Sequence, residues 1–184
     1  MTNAMAKNSD PLLFQNACAF AARKHVGQIR KDHITPYFSH CARVAMTVAS
    51  IFECSDPIAL AAAFLHDTIE DTTTDYDDLE KHFGSEVATI VAALTKNMAL
   101  PEAKRETEYD NRLTTAPWQA RLIKLADQYD NYCDLVNKPK SDAKSQGAQL
   151  KKSREKCNRA LKISAKDANP AIVHARQILK KLIS

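Results

Sequence analysis

The chain has three glycines among its 184 residues, few aromatics, and five cysteines without a single Cys-x-x-Cys pair. Scarce glycine excludes the many tight turns of a β-sandwich or barrel, and the abundance of Ala, Leu and Lys favours helices. Scattered Cys18, Cys41, Cys54, Cys133 and Cys157 exclude a zinc ribbon and outline no disulfide framework, so they are expected to be buried, reduced thiols. No apolar run approaches the roughly 18 residues of a membrane span, and the opening MTNAMAKNSD has no apolar core for a secretory signal. A cytoplasmic protein with no membrane association is expected. The length suits one domain over 1–184, all-α, and leaves no room for a second catalytic domain.

The net charge of +4 conceals an asymmetry: residues 1–100 hold 8 Lys and Arg against 12 Asp and Glu, whereas 101–184 hold 18 against 10. A basic half attracts anions. In KKSREKCNRALK, 151–162, however, the charges run around a helix without interleaved aromatics, so a solvated face is expected and nucleic-acid binding is not.

Helical spacing and stop signals divide the chain. Asp10 and Pro11 read as N-cap and first turn of a helix to about 24. GQIRKDHITPY, 27–37, reads as a polar loop that brings Arg30 and Lys31 to the surface. Ser39 is expected to cap a helix over HCARVAMTVASIF, and Ser55-Asp56-Pro57 to end it and open another through IALAAAFLHD. A short helix should end at Gly84, with Ser85 capping EVATIVAALTK. Residues 101–113 are charged and weakly amphipathic, expected as a helix within an exposed or mobile segment. Pro117 opens a helix with an apolar stripe of Leu122, Ile123, Leu125, Ala126 and Tyr129, and two basic helices follow, about 142–163 and 170–182.

The stretch FLHDTIEDT, 64–72, places His66, Asp67, Glu70 and Asp71 directly after an apolar segment. So much ionisable character in so small a space is costly unless it faces water or surrounds a cation. If the helix continued past Asp67, His66 and Glu70 would share a face, as Asp127 and Asn131 do further on, with Lys124 one turn before Asp127. A cation held by His66, Asp67, a distant His and a distant Asp has nitrogen and oxygen ligands and no sulfur. That set suits Mn²⁺, Fe²⁺, Co²⁺ or Zn²⁺ with open positions, rather than a closed structural zinc site. His25, His33, His40 and His82 are all available as the distant histidine, and spacing alone does not choose among them. Tyr37, Phe64 and Tyr129 read as core residues.

Four segments together resemble the HD-domain phosphohydrolases, and within them the hydrolase domain of RelA/SpoT homologues in its stand-alone form, the small alarmone hydrolases. They are HVGQIRKDHITPYFSH at 25–40, AAAFLHDTIEDT at 61–72, LTK at 94–96 and IKLADQYDNYCDL at 123–135, within about 20–140. The resemblance implies a single-domain helical bundle, with helices 142–182 packed on the motif-bearing part. It implies a divalent metal, usually Mn²⁺, held by His40, His66, Asp67 and Asp127. It makes Glu70 and Asp71 the pair that positions or deprotonates water, and Arg30, Lys31 and Asn131 nucleotide contacts, with Lys96 as a further phosphate contact. The implied reaction is hydrolysis of the 3′-pyrophosphate of guanosine tetra- or pentaphosphate to GDP or GTP and pyrophosphate, the partner being a small nucleotide. Too few residues follow the last motif for the synthetase half of the long enzymes, so degradation without synthesis is expected.

The chain departs from the family pattern in three places. RKDHITPY has one residue more than the common RKxGxPY and lacks its glycine, Gln128 stands where a basic residue follows the metal aspartate, and Cys133 stands where Arg is frequent. These changes leave another phosphorylated nucleotide as an alternative substrate, for a nucleotidase or an NADPH phosphatase. A module that binds the alarmone without cleaving it is the alternative outside enzymology.

Overall fold

In the computed structural model, residues 12–137 and 143–184 are described. Ten α-helices are seen there: α1 (Leu13–Lys24), α2 (Phe38–Met46), α3 (Pro57–Leu65), α4 (Thr68–Asp71), α5 (Tyr76–Phe83), α6 (Ser85–Leu94), α7 (Glu102–Thr115), α8 (Trp118–Val136), α9 (Ala143–Ile163) and α10 (Pro170–Ile183). A π-helical turn, Thr47–Ile51, extends α2. Among the described residues no strand occurs beyond one antiparallel bridge between Ile29 and Pro36. The fold is all-α.

The centre is α3, PIALAAAFL, in which Ile58, Ala59, Ala61, Ala62, Ala63 and Leu65 are all buried. A helix apolar on nearly every side belongs inside. Its alanines let α1, α2, α6 and α8 approach closely. Asp56 caps it, its carboxylate accepting from the Ala59 amide at 2.7 Å, with Pro57 at the first helical position, as the sequence suggests. The α8 stripe behaves likewise: Leu122, Ile123, Leu125 and Ala126 are buried, and Tyr129 packs edge-on to Phe52 with centroids 6.0 Å apart. α9 and α10 lie against α8.

Several expectations need correction. Asp10 and Pro11 lie outside the described residues, and α1 begins at Leu13. Ser39 is inside α2, whose cap position is Tyr37, because Pro36 has already turned the chain. Gly84, not Ser85, sits at the junction of α5 and α6; its φ of 88° is the left-handed region that glycine enters freely. Asp75, which the sequence left unremarked, caps α5 by accepting from the Asp78 amide at 2.8 Å. Residues 102–115 are not merely an exposed segment: Tyr109 and Leu113 are buried, and α7 rests on α6, α8 and α9. Cys41, Cys54 and Cys157 are buried, whereas Cys18 and Cys133 are half-buried on helix flanks.

Candidate functional site

The long apolar helix does not continue through the acidic cluster. α3 stops at Leu65, His66 and Asp67 form a turn, and the separate α4 carries Glu70 and Asp71. The break separates the roles that an unbroken helix would merge. His66 points inward, 4% exposed, while Glu70 and Asp71 reach the rim.

His40 on α2 meets this turn. Nitrogen or oxygen atoms of His40, His66 and Asp67 lie within 4.8 Å of one another. Nε2 of His66 is 3.1 Å and Nε2 of His40 is 3.6 Å from Asp67 Oδ2. Asp127 of α8 closes the group, its Oδ1 lying 3.4 Å from His40 Nε2. His40, His66 and Asp67 therefore converge, and Asp127 adjoins them through His40. The other histidines do not: His25 is buried against Tyr37 and bonds Gln28, His33 sits in the 27–37 loop, and His82 packs on Phe20.

Each ring is held by its other nitrogen. His66 Nδ1 donates to the Ala63 carbonyl at 2.9 Å, and His40 Nδ1 donates to Asp130 Oδ2 at 2.7 Å. Both acceptors lack protons to give, so in the neutral rings the lone pair sits on Nε2, which faces the carboxylates. His66 Nε2 is buried with no hydrogen-bond partner. An orphaned imidazole nitrogen aimed between two carboxylates and a second imidazole is the donor set that a divalent cation satisfies. His40, His66 and Asp67 could thus hold such an ion, with Asp127 beside them.

The electrostatics match. Burial would lower the His40 pKa, but the bonds to Asp127 and Asp130 outweigh it and push it up to about 9. Burial would raise Asp67, yet the adjacent His66 and His40 hold it below the ordinary carboxylate range. Asp127 is likewise depressed, against its own burial, by Lys124 and His40. Lys124 Nζ donates to Asp127 Oδ2 at 2.8 Å, and Gln128 donates to the same oxygen at 2.8 Å. Gln128, though uncharged, therefore steadies Asp127.

Around the rim, Glu70 Oε2 accepts the Lys96 amide at 2.9 Å, and burial lifts its pKa above the usual glutamate range. Asp71 is exposed, its carbonyl accepting from Gln28 at 2.6 Å. Arg30 donates to Asn131 Oδ1 at 3.1 Å and to Asp134 Oδ2 at 2.7 Å, while Asn131 in turn donates to Asp127 Oδ1 at 2.5 Å. Lys96 pairs with Glu106 at 2.7 Å. Lys31 is exposed in the loop. In that loop His33 takes φ 63°, the left-handed conformation that the missing glycine would adopt freely, and Asp32 accepts from the Ile34 and Thr35 amides.

Four site neighbours escaped the sequence reading. Tyr37, read as core, donates its hydroxyl to Asp67 Oδ2 at 2.7 Å. Asp130 and Arg43 reach His40 from behind. Lys156 of α9 is close enough to Lys124, Lys96 and Lys31 that partial desolvation and those cations lower its pKa. Asp130 follows Asp127 by one helical turn, and that spacing was the one signal available for it.

Two histidines and two carboxylates converging at the centre of a helical bundle define an HD-type domain. The family model described as HD domain matches residues 17–152, and the chain belongs to that family. The chain is 40% identical over 129 residues to guanosine-3′,5′-bis(diphosphate) 3′-pyrophosphohydrolase MESH1 of Xenopus tropicalis, covering 70% of this chain and 72% of that protein. It is 41% identical over 120 residues to MESH1 of Homo sapiens, covering 65% and 67%. The solved structure of a metazoan ortholog of SpoT, which hydrolyzes ppGpp, matches with TM-score 0.75 at 28% identity, over 92% of this chain and 94% of that chain.

Proposed function

We propose that this protein is a metal-dependent hydrolase that removes the 3′-pyrophosphate of guanosine tetra- or pentaphosphate, releasing GDP or GTP and pyrophosphate, with Mn²⁺ as its ion. The observation that carries this reading is the buried, unpartnered His66 Nε2 facing His40, Asp67 and Asp127. The relatives' activity supplies the substrate. A bound divalent cation would provide charge neutralisation at a phosphoryl group and a more acidic water. His40, His66, Asp67 and Asp127 would hold it.

Glu70, fixed through the Lys96 amide at the cluster's edge, would take the proton of the attacking water, and its burial raises its pKa above the ordinary glutamate value, which makes it a stronger base. Asp71 is the second carboxylate of that pair. Arg30 and Lys31 of the 27–37 loop and Lys96 after α6 would neutralise phosphate oxygens. Asn131 links Arg30 to Asp127, so its role here is to align the arginine with the cluster as well as to meet the nucleoside. Residues 1–184 act as one domain in this reading, and the protein works in the cytoplasm. Among the described residues no helix is long and apolar enough to cross a membrane.

The test is pyrophosphate release from guanosine 3′,5′-bis(diphosphate) by the purified protein with Mn²⁺, beside an EDTA-treated control. GDP and pyrophosphate in equal amounts, only with metal, is the expected result. Binding without products would favour a sensor, and release only from another nucleotide would move the substrate.

A further inference from the structure

His40 is gripped on both sides by α8. Asp127 lies at its Nε2 and Asp130, one turn later, at its Nδ1. Asp130 is buried at 5% exposure, and an isolated carboxylate there would be costly. Arg43, one turn after His40 on α2, answers it with two prongs: Nε donates to Oδ1 at 2.5 Å and Nη2 to Oδ2 at 3.0 Å. Nη2 also reaches Asp134 Oδ1 at 3.2 Å, and Nη1 reaches Ser39 Oγ at 3.3 Å. The His40–Arg43 spacing on α2 thus matches the Asp127–Asp130 spacing on α8.

The planar guanidinium leaves the carboxylate little freedom to rotate, because both of its oxygens are engaged. Oδ2 is therefore presented to His40 in one orientation. A carboxylate accepting from Nδ1 fixes the imidazole as the Nδ1–H tautomer, prevents a ring flip that would turn carbon toward the cluster, and makes Nε2 a stronger donor. His66 obtains the same tautomer from a backbone carbonyl, which carries no net charge.

We propose that Asp130, clamped by Arg43, is the positioning residue that orients His40 for metal ligation. The inference rests on the metal-site reading above. An ion pair that merely ties α2 to α8 would need only Arg43 with Asp130 and Asp134; here Oδ2 is shared with His40 at the shortest distance His40 makes. Asp130→Asn keeps the size and an acceptor but removes the charge and one geometry, and Arg43→Ala releases the clamp while leaving the carboxylate.

The experiment uses the full chain and two readouts. Mn²⁺ affinity is measured by competition with a fluorescent chelator, and the His40 tautomer by ¹⁵N NMR of the EDTA-treated protein at pH 10, where the ring is neutral. The expected results for Asp130→Asn are a 10–100-fold weaker Mn²⁺ affinity and loss of the single Nδ1–H tautomer. Arg43→Ala should weaken affinity less, and Arg43→Lys should recover part of that loss. Wild-type affinity and an unchanged His40 tautomer in Asp130→Asn would overturn the proposal. If Asp130→Asn does not fold, the same two outcomes in Arg43→Ala decide it. Failure of the wild-type protein to bind Mn²⁺ would instead remove the metal reading itself, which separates the two failures.

Discussion

The Tyr37 hydroxyl donates to Oδ2 of Asp67 at 2.7 Å, the same oxygen that faces both His40 and His66. Tyr37 ties the 27–37 loop to the turn between α3 and α4, beside the Gln28 bond to the Asp71 carbonyl, so the loop bearing Arg30 is coupled to the cluster. Tyr37→Phe leaves a half-buried carboxylate one donor short. The expected cost is about 1.5–3 kcal/mol in urea denaturation of the EDTA-treated protein, the range for a hydrogen bond to a charged group, together with a lower turnover at saturating Mn²⁺. An unchanged midpoint would show that Asp67 does not need this donor.

Asp67→Ala and Glu70→Ala should part company. The first removes an oxygen from the centre of the cluster and is expected to abolish both Mn²⁺ binding and turnover. The second leaves the four converging residues intact, so metal binding persists while turnover falls by about 10²–10⁴, the contribution of a positioned base. Metal titration alongside pyrophosphate release checks both, and wild-type turnover in both variants would refute the assignment.

The EDTA-treated protein should lose stability as pH rises past neutrality. His40 has a pKa near 9 in the fold against about 6.5 in the unfolded chain. A raised pKa means the charged imidazole stabilises the fold fully below about 6.5 and progressively less as pH climbs through 9. Calorimetric Tm is therefore expected to fall between pH 6.5 and 9.5, and His40→Gln should flatten that slope. Mn²⁺ requires the neutral ring, so adding it should raise Tm most at the alkaline end.

Lys156→Ala should raise KM for the alarmone several-fold, because its ammonium lies in the same cationic field as Lys124, Lys96 and Lys31. The effect should shrink at high salt, as a screened charge contact does. An unaltered KM at low salt would place Lys156 outside the substrate's reach.

Ala62→Leu tests the core. Ala62 is fully buried at the middle of α3, where neighbouring helices pass close by. Overpacking there should cost about 1–3 kcal/mol, read by chemical denaturation.

Much of this was legible because it is local. Asp56-Pro57 announces α3, the α8 stripe repeats with helical period, and FLHDTIEDT concentrates charge where an apolar run ends. Ser39 and Ser85 misled because serine favours caps only where the chain enters a helix beside it; here Pro36 and Gly84 set the entry instead. Tyr37 misled because an aromatic ring is apolar on its faces, and only its neighbours decide whether the hydroxyl meets a carboxylate.

By itself the sequence determined an all-α chain, its central alanine-rich helix and the residue types that a cation would need, since helical periodicity and side-chain chemistry are properties of neighbours along the chain. Spacing left four histidines open and the family resemblance named His40, but that a turn separates His66 from Glu70 and that Asp130 and Arg43 stand behind His40 were decided only by tertiary structure. Those facts depend on α2 and α8 meeting across about 90 residues of chain, and packing, not spacing, brings such residues together.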